Sequence, residues 1–99
     1  MIYKKNKLSV DGFNISSLAK KFNTPLYCYS LKKIKENILN LKNSFRKIDP
    51  LICYAVKANT NISILKEIKK FNIGADVVSI GELMKALKAN IKPPKIKAA

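Results

Sequence analysis

Between residues 14 and 22 the apolar positions Ile15, Leu18, Ala19 and Phe22 fall on one side of a helix, and Asn14 has the side chain to cap its start. Thr24-Pro25 stops that helix. Residues 26–29, Leu-Tyr-Cys-Tyr, read as a short aromatic strand. Ser30 then caps a helix of about 18 residues, with Leu31, Ile34, Ile38, Leu41, Phe45 and Ile48 repeating at helical period until Asp49-Pro50. Residues 51–56, Leu-Ile-Cys-Tyr-Ala-Val, are apolar throughout, as a strand buried on both faces would be. A helix over 61–71, capped at Thr60 or Asn61, closes at residues 72–74. A strand follows over 75–78, then a helix over 80–90 with Ile80, Leu83, Met84 and Leu87 on one face. Pro93-Pro94 breaks the chain, and the residues after it start a third strand. Residues 1–13 are polar with scattered apolars, and Asp11-Gly12 marks a turn.

Strands alternating with helices of about ten residues mean βα units and a parallel sheet. Such a sheet needs cover on both faces, which two units cannot supply. The pattern therefore predicts an α/β chain that opens a (β/α) barrel and is truncated after about two βα units. The boundary falls at residue 30: residues 1–30 lead in, and 31–99 start an incomplete barrel.

Hydrophobic residues at 47% and charged residues at 26% fit a globular chain. No apolar run approaches the ~18 residues of a membrane span, and the start lacks a signal-peptide core, so a cytoplasmic location is expected. Cys28 and Cys53 sit in apolar segments without a CxxC neighbour, which predicts reduced, buried thiols and no metal. There is no histidine, so no imidazole acts as acid or base within these residues. The net charge of +14 suits nucleic-acid binding in principle. However, all but one of the basic residues are lysines spread along an Ile- and Asn-rich chain. Sequence-specific readers lean on arginine forks, so the excess reads as compositional and no specific nucleic-acid partner is expected.

Lys57 is the residue that packing explains least. It ends the apolar run 51–56, and burial there would disfavour an ammonium and leave the neutral amine that Schiff-base chemistry uses. The carboxyl ends of barrel strands are also where barrel sites lie. From spacing alone, a strand-end lysine reaching solvent is the more ordinary reading. Asp76, among apolar neighbours in the next strand, would come near Lys57 and stabilise a cation or orient the amine. Without Lys57 it would read as a turn or backbone-bonded aspartate. Ser79 and Glu82 read as a capping box, Tyr54 as core, and Asn59 as a residue that shapes the strand-to-helix turn.

Residues 54–59, YAVKAN, resemble the lysine motif of decarboxylases that carry pyridoxal phosphate on an alanine-racemase-like barrel. GADVVSIGEL at 74–83 looks like the second-strand motif of diaminopimelate decarboxylases, and TPLYCYS at 24–30 resembles the segment before the barrel's first helix. The resemblance covers roughly residues 13–96 and departs after Ile96. Ornithine decarboxylases typically have Cys where Ala58 stands and a DCAS-like motif where this chain has DVVS. Alanine racemases follow the lysine motif with Tyr-Gly rather than Thr60-Asn61. An ornithine- or arginine-type decarboxylase and a small basic nucleic-acid-binding protein are the alternatives.

The resemblance implies the opening of a pyridoxal-phosphate-binding (β/α)8 TIM barrel. Lys57 would be the Schiff-base lysine, Asp76 would lie beside the cofactor, and Ala55 would lie near its ring. The reaction implied is meso-diaminopimelate to L-lysine and carbon dioxide, in a homodimer whose C-terminal β domain associates with residues 1–30. The family's stacking histidine, glycine-rich phosphate loop, glutamate facing the pyridine nitrogen and partner-subunit cysteine motif have no counterpart here. The chain alone is therefore expected to be inactive.

Overall fold

The structure is a computed structural model and describes residues 1–98. It divides into two compact units, the first covering residues 1–37 and the second running from Ile38 onward.

The first unit begins with strands β1 (Ile2–Lys4), β2 (Lys7–Val10) and β3 (Phe13–Asn14), antiparallel and in that order. Lys5 and Asn6, at φ 51° and 62°, form the two-residue loop that suits the twist of a tight hairpin. Asp11 and Gly12 turn the next corner at φ 50° and 83°. The turn at Asp11-Gly12 is the expected one, but the strands around it are not. Only Val10 among them is buried, so alternation left almost no trace in the sequence. Helix α1 (Ile15–Phe22) starts where Asn14 Oδ1 accepts a hydrogen bond from Ser17 N at 3.2 Å.

Residues 26–29 are not a strand. They find no partner strand among the described residues, and a strand without a ladder leaves its backbone groups unpaired. Helix α2 (Leu31–Ser44) begins as expected, with Ser30 Oγ accepting from Lys33 N at 3.0 Å. It ends short of Ile48. Ser44 Oγ donates back to the Asn40 carbonyl at 3.0 Å, and the chain loosens into turns that end at Asp49, φ 51°.

In the second unit β4 (Cys53–Ala55), β5 (Gly74–Val77) and β6 (Ile96–Ala98) form the expected parallel sheet, in that order. Helices α3 (Ile62–Lys70) and α4 (Ile80–Lys88) follow β4 and β5. Val56, Leu65, Ala75, Val77, Ala86, Ala89 and Ile91 make the core, with Tyr54, Ile62, Leu83 and Ile96 packed against it. Tyr54 is in register with Ala75, and Ala75 with Ile96, so this row faces the helices. The alternate row is Ala55, Asp76 and Lys97.

Residues 51–56 are not buried on both faces: Leu51 is exposed and Cys53, Tyr54 and Ala55 are half-buried, because the helices cover one side only. The strand is also shorter than the apolar run, since Val56–Ala58 closes into a 3-10 turn. Gly74 marks where β5 passes closest to its neighbours. A Cβ there would collide with the Lys95 carbonyl oxygen and lie 3.0 Å from Cys53 Sγ. Both cysteines are free thiols, but Cys28 is exposed and Cys53 half-buried, so neither is the buried residue expected. No helix among the described residues is long and apolar enough to cross a membrane.

Candidate functional site

Lys57 is the middle residue of the 3-10 turn that follows β4, at the carboxyl end of a parallel strand. Position agrees with the sequence; burial does not. Lys57 is exposed, and the core cluster of this unit gathers on the side of the sheet that α3 and α4 cover. The apolar neighbours that made it look buried, Val56 above all, turn toward the helices instead.

Asp76 is half-buried on β5 and lies in register with Ala55, two positions before Lys57. The three expected residues Ala55, Lys57 and Asp76 are thus brought to one corner of the sheet, at the ends of adjacent strands. Among the described residues Asp76 takes part in no ion pair, so its carboxylate is not spent on structure. Lys97 is the residue that sequence reasoning missed: it stands in register with Asp76 on β6, with its side chain exposed and in no ion pair with that carboxylate. Counting the register of a third parallel strand would have found it.

Ser79 and Glu82 are caps, as expected. Ser79 Oγ accepts from Glu82 N at 3.1 Å, and Glu82 Oε1 accepts from Val78 N at 3.1 Å. A cleft lined by Asp49, Pro50, Leu51 and Asn72 among others opens before β4 and β5, at the opposite end of the strands from Lys57. No group of three or more His, Cys, Asp and Glu among the described residues is placed to hold a metal ion.

The corner suits the aldehyde end of a cofactor. A primary amine stands at the strand end, a small side chain at Ala55 leaves room for a flat ring, and a carboxylate lies one strand over.

Comparison with known proteins places the chain in a family. The family model described as pyridoxal-dependent decarboxylase, pyridoxal binding domain, matches residues 31–99. Diaminopimelate decarboxylase of Helicobacter pylori strain J99 is 51% identical over 84 residues, which is 85% of this chain and 21% of that protein. The crystal structure of the Helicobacter pylori enzyme complexed with L-lysine superposes with a TM-score of 0.80 at 48% identity, covering 86% of this chain and 22% of that one. Diaminopimelate decarboxylase from M. jannaschii, also with L-lysine, gives 0.93 at 36% identity, covering 98% and 24%. The chain thus spans about a fifth of the length of the relatives it matches, and its fold is that of the opening of their alanine-racemase-like barrel. By the extent of that family match, which takes in Lys57, Asp76 and the whole parallel sheet, the chain belongs to the pyridoxal-dependent decarboxylases, within their pyridoxal binding domain.

Proposed function

We propose that this chain supplies the lysine-bearing corner of a decarboxylase that converts meso-diaminopimelate to L-lysine and carbon dioxide in the cytoplasm, working as a homodimer. The observation that carries the reading is the placement of Lys57 at the carboxyl end of β4 with Asp76 in the adjoining register position on β5. The identity to diaminopimelate decarboxylases supports this substrate over ornithine or arginine.

Lys57 would hold pyridoxal phosphate covalently through Nζ, with Ala55 near its ring and Asp76 beside the lysine and the cofactor. When bound, that group supplies the electron sink that accepts the pair left by departing carbon dioxide. The protein's own contribution starts with a proton. An ammonium has no lone pair, so Lys57 Nζ must shed one before it can bond a carbonyl carbon. Asp76 presents negative charge beside the cationic form and so orients the amine. Ala55 leaves the space above β4 free of side-chain bulk. Residues 31–99 would serve as the first part of the barrel, and residues 1–30 would pack with a C-terminal β domain.

The test uses the polypeptide made from the complete reading frame that contains this chain. Pyridoxal phosphate is added, the adduct is fixed with borohydride, and the labelled peptide is mapped. Label on Lys57, lost in Lys57→Ala, is the expected result. Label on Lys97 or another lysine overturns the assignment. Asp76→Ala should lower turnover of meso-diaminopimelate by about tenfold or more while leaving the label on Lys57, as for a charge that supports rather than bonds.

A further inference from the structure

Lys57 itself makes no hydrogen bond or ion pair among the described residues, and its side chain is exposed. Apart from the charge of Asp76, what aims its amine acts through the backbone of the turn that carries it. That turn is held from two sides. Tyr54, three residues earlier, packs its ring against the core and donates its hydroxyl hydrogen to the Asn59 carbonyl at 3.1 Å. Asn59 N in turn donates to the Val56 carbonyl at 3.1 Å, closing the turn around Lys57. From α4, Lys85 Nζ donates to Thr60 Oγ1 at 3.1 Å. Between these ties Asn59 Oδ1 accepts from Asn61 N at 3.0 Å, and Asn61 Oδ1 caps α3 by accepting from Ser63 N at 2.9 Å.

We infer that Tyr54 and Lys85 are positioning residues for Lys57: one fixes its turn to the core, the other to α4, and together they set the direction of its Cα–Cβ bond. This rests on the reading of Lys57 as the carrier of the cofactor. The physical case is one of stiffness. A lysine side chain has many rotamers, and little in this structure restricts them beyond Cβ. A tyrosine has two side-chain torsions and a ring anchored in packed apolar surface, so its hydroxyl is a fixed point against which a three-residue turn can be held. Lys85 is exposed, and its tie is the weaker of the two.

The experiment uses the same complete polypeptide and the variants Tyr54→Phe and Lys85→Met. Tyr54→Phe keeps the ring and removes only the hydroxyl. Two quantities are read: hydrogen exchange of the Asn59 amide without cofactor, and the fraction of borohydride-fixed label on Lys57 at limiting pyridoxal phosphate. Losing one net hydrogen bond should speed exchange at Asn59 and lower the Lys57 label by about fivefold in Tyr54→Phe. Lys85→Met should change each by about twofold. Amides inside α3 should exchange as before. If Tyr54→Phe does not fold, Lys85→Met carries the decision alone. Unchanged label on Lys57 in a folded variant overturns the positioning role while leaving the carrier assignment intact. Label on a different lysine in the unaltered protein overturns both.

Discussion

Asp11 joins a hairpin corner to the start of a helix. Its Oδ1 accepts from Ser30 Oγ at 2.5 Å and its Oδ2 from Lys32 N at 3.2 Å, while Ser30 Oγ itself accepts from Lys33 N. The Ser30 hydrogen bond, then the Lys32 amide, hold the Asp11 carboxyl below the usual carboxylate value of 3.8. A depressed folded-state pKa means the contribution is fully present above the unfolded value and is lost as pH falls through the folded one. The window is therefore strongly acid, below 3.8. Asp11→Asn should be less stable than the unaltered protein at neutral pH, and the gap should close as pH is taken below that value. Denaturant unfolding of the complete polypeptide along a pH series measures it; a gap that stays constant or widens in acid would contradict the assignment. At this same scale the sequence was partly readable. Lys57 and Asp76 could be picked out because a lysine after an apolar run, and a carboxylate inside one, need explaining, whereas Ala55 came only from the family resemblance. Lys57's exposure could not, since it depends on which side of the sheet the helices take. Lys97 looked like one more lysine until a third parallel strand gave it a register.

Helices α3 and α4 were legible because their ends are written in side chains. Asn61 and Ser79 cap them, and Asn72 and Asn90 leave them at φ 62° and 66°, the left-handed conformation in which asparagine is tolerated best after glycine. The antiparallel hairpin was not legible, because strands of two to four residues with one buried position carry no period to read. Residues 26–29 misled in the opposite sense. Aromatic, strand-prone residues still need a neighbour to pair with. The capping box on α4 is the element feature that both sequence and geometry support, and it yields a quantitative expectation. Ser79→Ala removes the acceptor for Glu82 N and should cost about 1 kcal/mol of unfolding free energy, whereas Ser79→Thr should cost less than half of that. A chemical-unfolding midpoint of the complete polypeptide unchanged in Ser79→Ala would mean that tertiary packing, not the cap, sets the start of α4.

For the molecule, the deciding fact is how little of the chain is fully covered. Leu65 and Val56 are the largest fully buried side chains, and burying each contributes about 2 kcal/mol. Ordering a residue costs roughly 1–2 kcal/mol of backbone entropy, so a core this small leaves no surplus for the turns and helix ends it must also hold. The uncovered surface points the same way. Ile80 is 79% exposed, Met84 63% and Val78 54% in the second unit, and Tyr27 is 87% exposed in the first. β4 and β6 each pair on one side only, leaving ladder edges that can recruit another chain. The net charge of +14 opposes self-association at low salt but is screened at higher ionic strength. The 99-residue chain by itself should therefore show no cooperative thermal transition by circular dichroism, and its sedimentation should shift toward larger species as salt is raised. The polypeptide from the complete reading frame, if it continues the barrel, should instead melt cooperatively, because later strands would pair with the open edges and further layers would cover Asp76 and Lys57. A sharp, concentration-independent transition in a monomeric 99-residue chain would show that these two units hold themselves, and would return the small basic binding protein to consideration as a description of the whole molecule.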